Sequence, residues 1–344
     1  MKTVLVGMSG GVDSSVSAIK LLKEGYNVIG ATLSMGRKCD IGAINDAKIV
    51  CEKLGIKHYV IDTSNNFKNK VVDYFVNSYL NGETPNPCSV CNRMVKFREM
   101  IDFMKKIGAD YIATGHYAKI IKNGDNYELH KADCLEKDQS YFLSTIKYEF
   151  LQYIKFPLAE EISKNNTRNE AKNANLHVFN KGDSQDVCFI EDNDYKKFLI
   201  NYTNNTICKD GEIRHLNGKV LGKHNGIINY TIGQRKGLGV SYNKPIFVVK
   251  FDVENNVVYV SDDENDLFDD VFYINNLNKL AEIKENYDYT IKIRSTHTGQ
   301  LGKIELINEN EARVILNEKT RAITKGQLCC LYNGSQVVGS GYIG

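Results

Sequence analysis

The chain has 344 residues, with 44 Lys plus Arg against 42 Asp plus Glu and a net charge of +2. That length holds about two or three domains, each with its own core. The balanced charge excludes the global basic field of a histone-like binder, so any nucleic-acid contact comes from local patches. No apolar run approaches the roughly eighteen residues of a membrane span, and Met1-Lys2 leads straight into a strand pattern without a charged-then-apolar leader, which predicts a cytoplasmic protein with no membrane contact. Nine cysteines, an odd number, argue against a disulfide framework and leave reactive or metal-bound thiols as the question.

From the start to about residue 115, apolar strands alternate with helical patterns. Strands are expected at Val4 to Met8, Asn27 to Leu33, His58 to Asp62 and Tyr111 to Thr114, with helices from Asp13 to Glu24 and around Ala43 to Leu54. This alternation predicts a doubly wound parallel sheet covered by helices, with ligands at the carboxyl ends of the strands. The first such end carries Gly7-Met8-Ser9-Gly10-Gly11-Val12-Asp13-Ser14-Ser15. Gly10 and Gly11 lack a Cβ, so the backbone can turn sharply near a ligand, and Ser9, Ser14 and Ser15 add hydroxyls to the free N–H groups of a helix start. Several donors and the positive end of the helix dipole then converge on one anion. No Lys-Ser/Thr pair closes the loop, so the Walker A reading fails and a pyrophosphate suits it better. A tight turn without a ligand is the bland alternative.

Between helices lies Thr84-Pro85-Asn86-Pro87-Cys88-Ser89-Val90-Cys91-Asn92, whose two prolines are expected to deny helix and sheet, hold the segment extended and present its thiols. A C-x-x-C pair binds a soft metal, forms a redox couple or supplies nucleophiles, and a closed metal site usually needs more ligands than two. Cys188 follows the polar run Gly182-Asp183-Ser184-Gln185-Asp186, so three loop thiols could converge. Cys39, Cys51, Cys134, Cys208, Cys329 and Cys330 read as inert buried side chains. Thr114-Gly115-His116-Tyr117 puts His116 at the same sheet edge as the glycine loop. Lys137-Asp138-Gln139-Ser140 and Gly233-Gln234-Arg235-Lys236-Gly237-Leu238-Gly239 are polar turns whose cations could touch phosphate.

After about residue 200 the pattern turns to short alternating strands, such as Ile246 to Phe251 and Val257 to Val260 around Glu254-Asn255-Asn256. The acidic stretch Ser261 to Asp270 reads as a boundary, and Tyr289 to Arg294, Gly302 to Ile307 and Arg313 to Leu316 suggest a small barrel or sandwich.

Taken in order, these segments closely resemble the tRNA-specific 2-thiouridylases of the PP-loop ATP pyrophosphatase superfamily. The likeness runs nearly end to end. It rests on the loop from Gly7 to Ser15, Thr84-Pro85-Asn86-Pro87 with Cys91-Asn92, Ala113 to Tyr117, Lys137 to Leu143, Asp183-Ser184 with Cys188-Phe189-Ile190, and Gly233 to Gly239. It implies α/β plus β architecture in three parts: a PP-loop catalytic domain over residues 1–200, a β-rich tRNA-contact domain over 201–268 and a C-terminal β-barrel over 269–344. ATP, with Mg²⁺ on its phosphates, would sit on Gly7, Met8, Ser9, Gly10, Gly11, Val12, Asp13 and Ser14, beside Leu33 and Gly115. The C2 oxygen of a wobble uridine would be adenylated and then displaced by sulfur. Cys188 would carry a persulfide and Cys91 would act as partner nucleophile, closing a disulfide. Asn86, Pro87 and Cys88 would contact the everted base and His116 would lie near it, with Lys137, Asp138, Gln139, Arg294, Ser295 and Gln327 on the tRNA. A cysteine desulfurase or sulfur-relay protein would donate the sulfur.

The chain departs from part of that family at Cys88, where many members carry an aspartate. Members with the C-x-x-C form resemble enzymes in which three thiols, here Cys88, Cys91 and Cys188, hold a [4Fe-4S] cluster with one open iron, and the cluster is the favoured expectation. Two other functions compete: PP-loop chemistry on another substrate, against which the β-rich second half speaks, and a non-catalytic RNA-binding or iron–sulfur protein with an idle nucleotide loop.

Overall fold

The computed structural model describes residues 1–182 and 187–344. In chain order the first part runs β1 (Thr3–Gly7), α1 (Val12–Lys23), β2 (Asn27–Ser34), α2 (Asp40–Leu54) and β3 (Lys57–Asp62). An interrupted helical stretch follows, α3 (Ser64–Phe67), α4 (Asp73–Leu80), α5 (Pro87–Cys91) and α6 (Phe97–Lys106), and then β4 (Tyr111–Ala113). Val4, Leu5 and Val6 have no exposed surface, because β1 is central in a sheet covered on both faces, which an unbroken apolar run serves better than alternation. β1 pairs in parallel with β2 and with β4, and β2 pairs in parallel with β3.

After β4 come two strands that the sequence pattern did not reveal, β5 (Lys119–Asn123) and β6 (Asn126–His130), a hairpin around Gly124. The short α7 (Ser140–Leu143), β7 (Ile154–Lys155), α8 (Lys164–Asn173) and α9 (Tyr195–Tyr202) complete this part, with β7 extending the parallel sheet to the order β3-β2-β1-β4-β7. The expectation of an extended segment at the two prolines is corrected here. Pro87 opens α5 at its first turn, where a missing N–H is harmless, and the Asn86 side chain caps the helix by accepting from Ser89 N at 3.2 Å.

The middle sheet contains β8 (Gly211–His215), β9 (Val220–His224), β10 (Phe247–Asp252) and β11 (Val257–Ser261), in the order β10-β11-β8-β9, with β11 and β8 parallel. The acidic stretch expected as a boundary ends inside β12 (Phe268–Lys279), a 12-residue strand broken by register shifts. β13 (Tyr289–Lys292), β14 (Gln300–Leu306), β15 (Ala312–Arg321), β16 (Leu328–Asn333) and β17 (Gln336–Ile343) follow. Because β12 pairs with both β15 and β17, the sheet closes on itself as a barrel and leaves no free edge among these strands. Ile274, Ile291, Val314, Leu331 and Val338 fill the inside.

The barrel is fastened to the first part of the chain. The β5–β6 hairpin adds to the barrel sheet through His130 opposite Gln336, and the His130 ring meets Ser335 Oγ at 2.9 Å. Asn278, buried on β12, donates to the carbonyls of Ser144 and Ile146, both at 2.8 Å. Asn278→Ala would leave two buried carbonyls without that donor, so we expect a loss of about 1–3 kcal/mol in urea unfolding, with the melting temperature falling in parallel.

Candidate functional site

Gly10 adopts φ +69° and its α-carbon lies against α2, so that a Cβ would stand 2.5 Å from the Ala43 carbonyl oxygen. Only glycine turns the chain there. Beyond it, Gly11 begins α1 without a side-chain cap, which leaves the first-turn N–H groups to face whatever binds the loop. Ser14 Oγ accepts from Ser9 N and meets Ser9 Oγ, both at 3.2 Å, folding the loop around its own hydroxyls. Asp13 faces the other way: Lys164 Nζ lies 2.6 Å from its Oδ2, and Tyr117 OH donates to Oδ1 at 3.0 Å. Met8 is buried beneath the loop and Leu33 is half-buried near the end of β2, packed on the core cluster around Leu5.

Gly115, just past β4, completes the cradle. A Cβ there would be 2.7 Å from Ser14 N, so only glycine allows the end of β4 to approach the first turn of α1 so closely. His116 follows, its Nδ1 at 2.7 Å from Thr114 Oγ1 and its ring between Phe97 and Phe156. Burial, with Lys96 nearby, pushes His116 well below the usual imidazole value. A neutral imidazole held this way favours the fold above pH ~6.5 and the contribution is lost as the solution is acidified towards the depressed value. We therefore expect the His116 ring protons to show the neutral form at pH 6 by NMR, and a His116→Gln variant to lose less stability on acidification than the parent.

The thiols lie at the same carboxyl edge. Cys91 is buried at the end of α5 in a cluster with Val90, Val95 and Phe67, and Phe189, the residue after Cys188, packs on that cluster. The ring of Phe189 stands edge-on to Phe67 and Phe75 at 5.7 and 5.2 Å. Cys88 and Cys188 are exposed, and Cys91 is close enough to feel the charge of both. Burial pushes the Cys91 thiol up to about 11, opposed first by Lys96 and more weakly by Arg37. Arg37, which the sequence reading missed, is fixed by Asp40 at 2.6 Å and reaches Cys188, Cys39 and Cys91 electrostatically. Its position just after β2, at the sheet's carboxyl end, was the available signal. Cys39 is exposed at the start of α2, which corrects its reading as core filler, whereas Cys51, Cys329 and Cys330 are buried as expected. All nine cysteines are free thiols. Asp183 and Ser184 fall outside the described residues.

The barrel braces the segment that carries Cys88 and Cys91. Gln327 Nε2 donates to the Thr84 carbonyl at 2.9 Å, Thr84 N donates to the Lys325 carbonyl at 2.9 Å, and Tyr342 OH meets Ser89 Oγ at 3.0 Å. Gln327 thus holds the segment two residues before Asn86. Asp138 accepts from Ala132 N and from Ser140 Oγ, and Gln139 Oε1 accepts from Tyr117 N at 3.1 Å, so both are anchored beside the Gly115 turn. Lys137 is half-buried close by. Arg294 and Ser295 stand on the barrel, where Arg294 donates to the Arg321 carbonyl.

The expected cluster does not fit this arrangement. Among the described residues no three His, Cys, Asp or Glu side chains are grouped to hold one metal ion, although Cys88, Cys91 and Cys188 are all described. No described helix is long and apolar enough to cross a membrane.

Residues 2–192 match the family model described as the tRNA methyl transferase HUP domain, 196–262 the tRNA methyl transferase PRC-barrel domain, and 269–343 the aminomethyltransferase beta-barrel domain. The tRNA-specific 2-thiouridylase MnmA of Rickettsia conorii is 48% identical over 355 residues, covering 99% of this chain and 95% of that protein. Its namesake from Rickettsia typhi is 47% identical over 356 residues, covering 100% and 99%. Among solved structures, a predicted tRNA methyltransferase subunit from Methanocaldococcus jannaschii aligns over 50% of this chain and 75% of its own at 20% identity and a TM-score of 0.31. With nearly full-length identity close to one half, and all three family models matched in order along an α/β domain, a middle sheet and a closed barrel, the chain belongs to the tRNA-specific 2-thiouridylases.

Proposed function

We propose that the chain replaces the C2 oxygen of a wobble uridine in tRNA with sulfur, at the expense of ATP. The observation that carries this reading is the shared carboxyl edge, where the loop from Gly7 to Ser14 touches Gly115, and Cys188, in a turn, lies close enough to Cys91 at the end of α5 for its charge to be felt there. Backbone N–H groups at the start of α1 would hold the phosphates, with Leu33 and Gly115 along the nucleoside. Mg²⁺ would ride on the phosphate oxygens and neutralise them, as this ion commonly does.

The chemistry follows from a poor leaving group. The uridine C2 oxygen attacks the α-phosphorus, pyrophosphate departs, and C2 then bears an adenylate that sulfur can displace as AMP. The base has to leave its stack for this, and Asn86, Pro87 and Cys88, with His116, would receive it. Cys188, exposed, takes sulfur from a protein persulfide donor such as a cysteine desulfurase or relay protein. Its terminal sulfur bonds to C2 as AMP leaves, and the Cys91 sulfur attacks Cys188 Sγ while the Cys91 proton passes to N3 of the base, leaving thiouridine and a Cys91–Cys188 disulfide. An external thiol reductant returns two electrons and restores both thiols. Residues 1–200, 201–268 and 269–344 would act as catalytic, tRNA-contact and bracing units, with Lys137, Asp138, Gln139, Arg294 and Ser295 on the tRNA.

Purified protein incubated with ATP and unmodified tRNA should release pyrophosphate only when the tRNA is present. Release without tRNA dependence would point to another substrate, and no release at all would end the enzymatic reading.

A further inference from the structure

The loop from Gly7 to Ser15 contains no lysine or arginine, so a cation for its phosphates has to arrive from elsewhere in the chain. One does. Lys181 Nζ donates to the Gly10 carbonyl at 2.9 Å and to Asp46 Oδ2 at 2.7 Å. The same Asp46 takes the His177 ring at 3.0 Å on its other oxygen. Gly10 cannot move freely, since its left-handed turn is packed on Ala43 of α2, and Asp46 stands on the same helix three residues further. The ammonium is therefore pinned to the phosphate loop by two fixed acceptors. Its third N–H has no partner among the described residues and is available to a ligand. Two other cations beside the site are committed, Lys164 to Asp13 and Arg37 to Asp40, while Lys96 lies on the side of the thiols and His116.

We propose that Lys181 is a catalytic residue of the adenylation step, its ammonium meeting the departing pyrophosphate. This rests on the function proposed above. When the C2 oxygen bonds to the α-phosphorus, the bond from that phosphorus to the bridging oxygen breaks and its electron pair stays on the pyrophosphate. Negative charge grows there, and a preorganised cation stabilises it more than it stabilises bound ATP. Lys181 keeps its proton throughout. Asp46 is a positioning residue that aims it, with its carboxyl held below the ordinary range chiefly by the Lys181 contact.

The test uses the full chain with ATP and unmodified tRNA. Lys181→Ala should lower kcat for tRNA-dependent pyrophosphate release by about 10²–10³, with a much smaller change in the KM for ATP and an unchanged melting temperature. Added alkylammonium should restore part of the rate, and Lys181→Arg should retain more activity than Lys181→Ala; a merely structural lysine would show neither. Wild-type kcat in Lys181→Ala would overturn the proposal. So would a loss that alkylammonium leaves untouched and Lys181→Arg shares in full. If the parent protein itself releases no pyrophosphate with tRNA, it is the function above that has failed.

Discussion

Replacing Cys188 by serine is expected to abolish thiolation of tRNA, by several orders of magnitude, while tRNA-dependent pyrophosphate release in a single turnover stays close to the parent rate. The two readouts separate because the thiol and the phosphate loop serve different halves of the reaction. Cys188 is exposed and its neighbour Phe189 carries the packing, so a serine at 188 removes the sulfur with little cost to the fold. Thionucleoside analysis of digested tRNA reads the first quantity, and a coupled pyrophosphate assay reads the second. Loss of both together would show that the thiol acts before sulfur transfer, and retained thiolation would remove Cys188 from the reaction.

The second large effect is expected at Gly115. An alanine there sets a Cβ 2.7 Å from Ser14 N and 2.8 Å from the Asp13 carbonyl carbon, both backbone atoms of the first turn of α1. Neither can yield without moving the phosphate loop. Overpacking of this kind costs about 1–3 kcal/mol, and here the strain falls where the nucleotide would bind. Gly115→Ala should weaken ATP binding at least about tenfold in calorimetric titration, a change of about 1.4 kcal/mol. Gly42→Ala is the control: it lies on α2 in open space with no positive φ, and should leave nucleotide affinity unchanged. Equal affinity in both variants would mean that the turn at 115 does not line the nucleotide.

The parallel sheet and its glycine loop were legible because they are local. Val4 to Val6 and Asn27 to Leu33 carry the signature of buried central strands, and the Gly/Ser run sits directly between a strand and a helix. The helix at Pro87–Cys91 was misread because two prolines were weighed as breakers, although Asn86 before Pro87 is a cap followed by a permitted first residue. β16 and β17 stayed hidden because Leu328–Tyr332 is apolar on both faces, one turned to the barrel interior and one to the first domain, so no alternation marks it. Within the site, the thiols, Gly115 and His116 could be found from motif and position alone. Their supports could not: Gln327 on Thr84, Tyr342 on Ser89 and Lys181 on Gly10 join residues too far apart in sequence for any local pattern to connect.

The β5–β6 hairpin has a partner that does not yet exist when the ribosome makes it. His130 closes onto Ser335, 205 residues downstream, which at about 5–20 residues per second is a wait of roughly 10–40 s. During that interval the outer edge of β6 is unsatisfied and the cysteine-bearing helix lacks its brace, so nascent chains stalled before β17 should be open to protease around residues 119–130 and protected once synthesis ends.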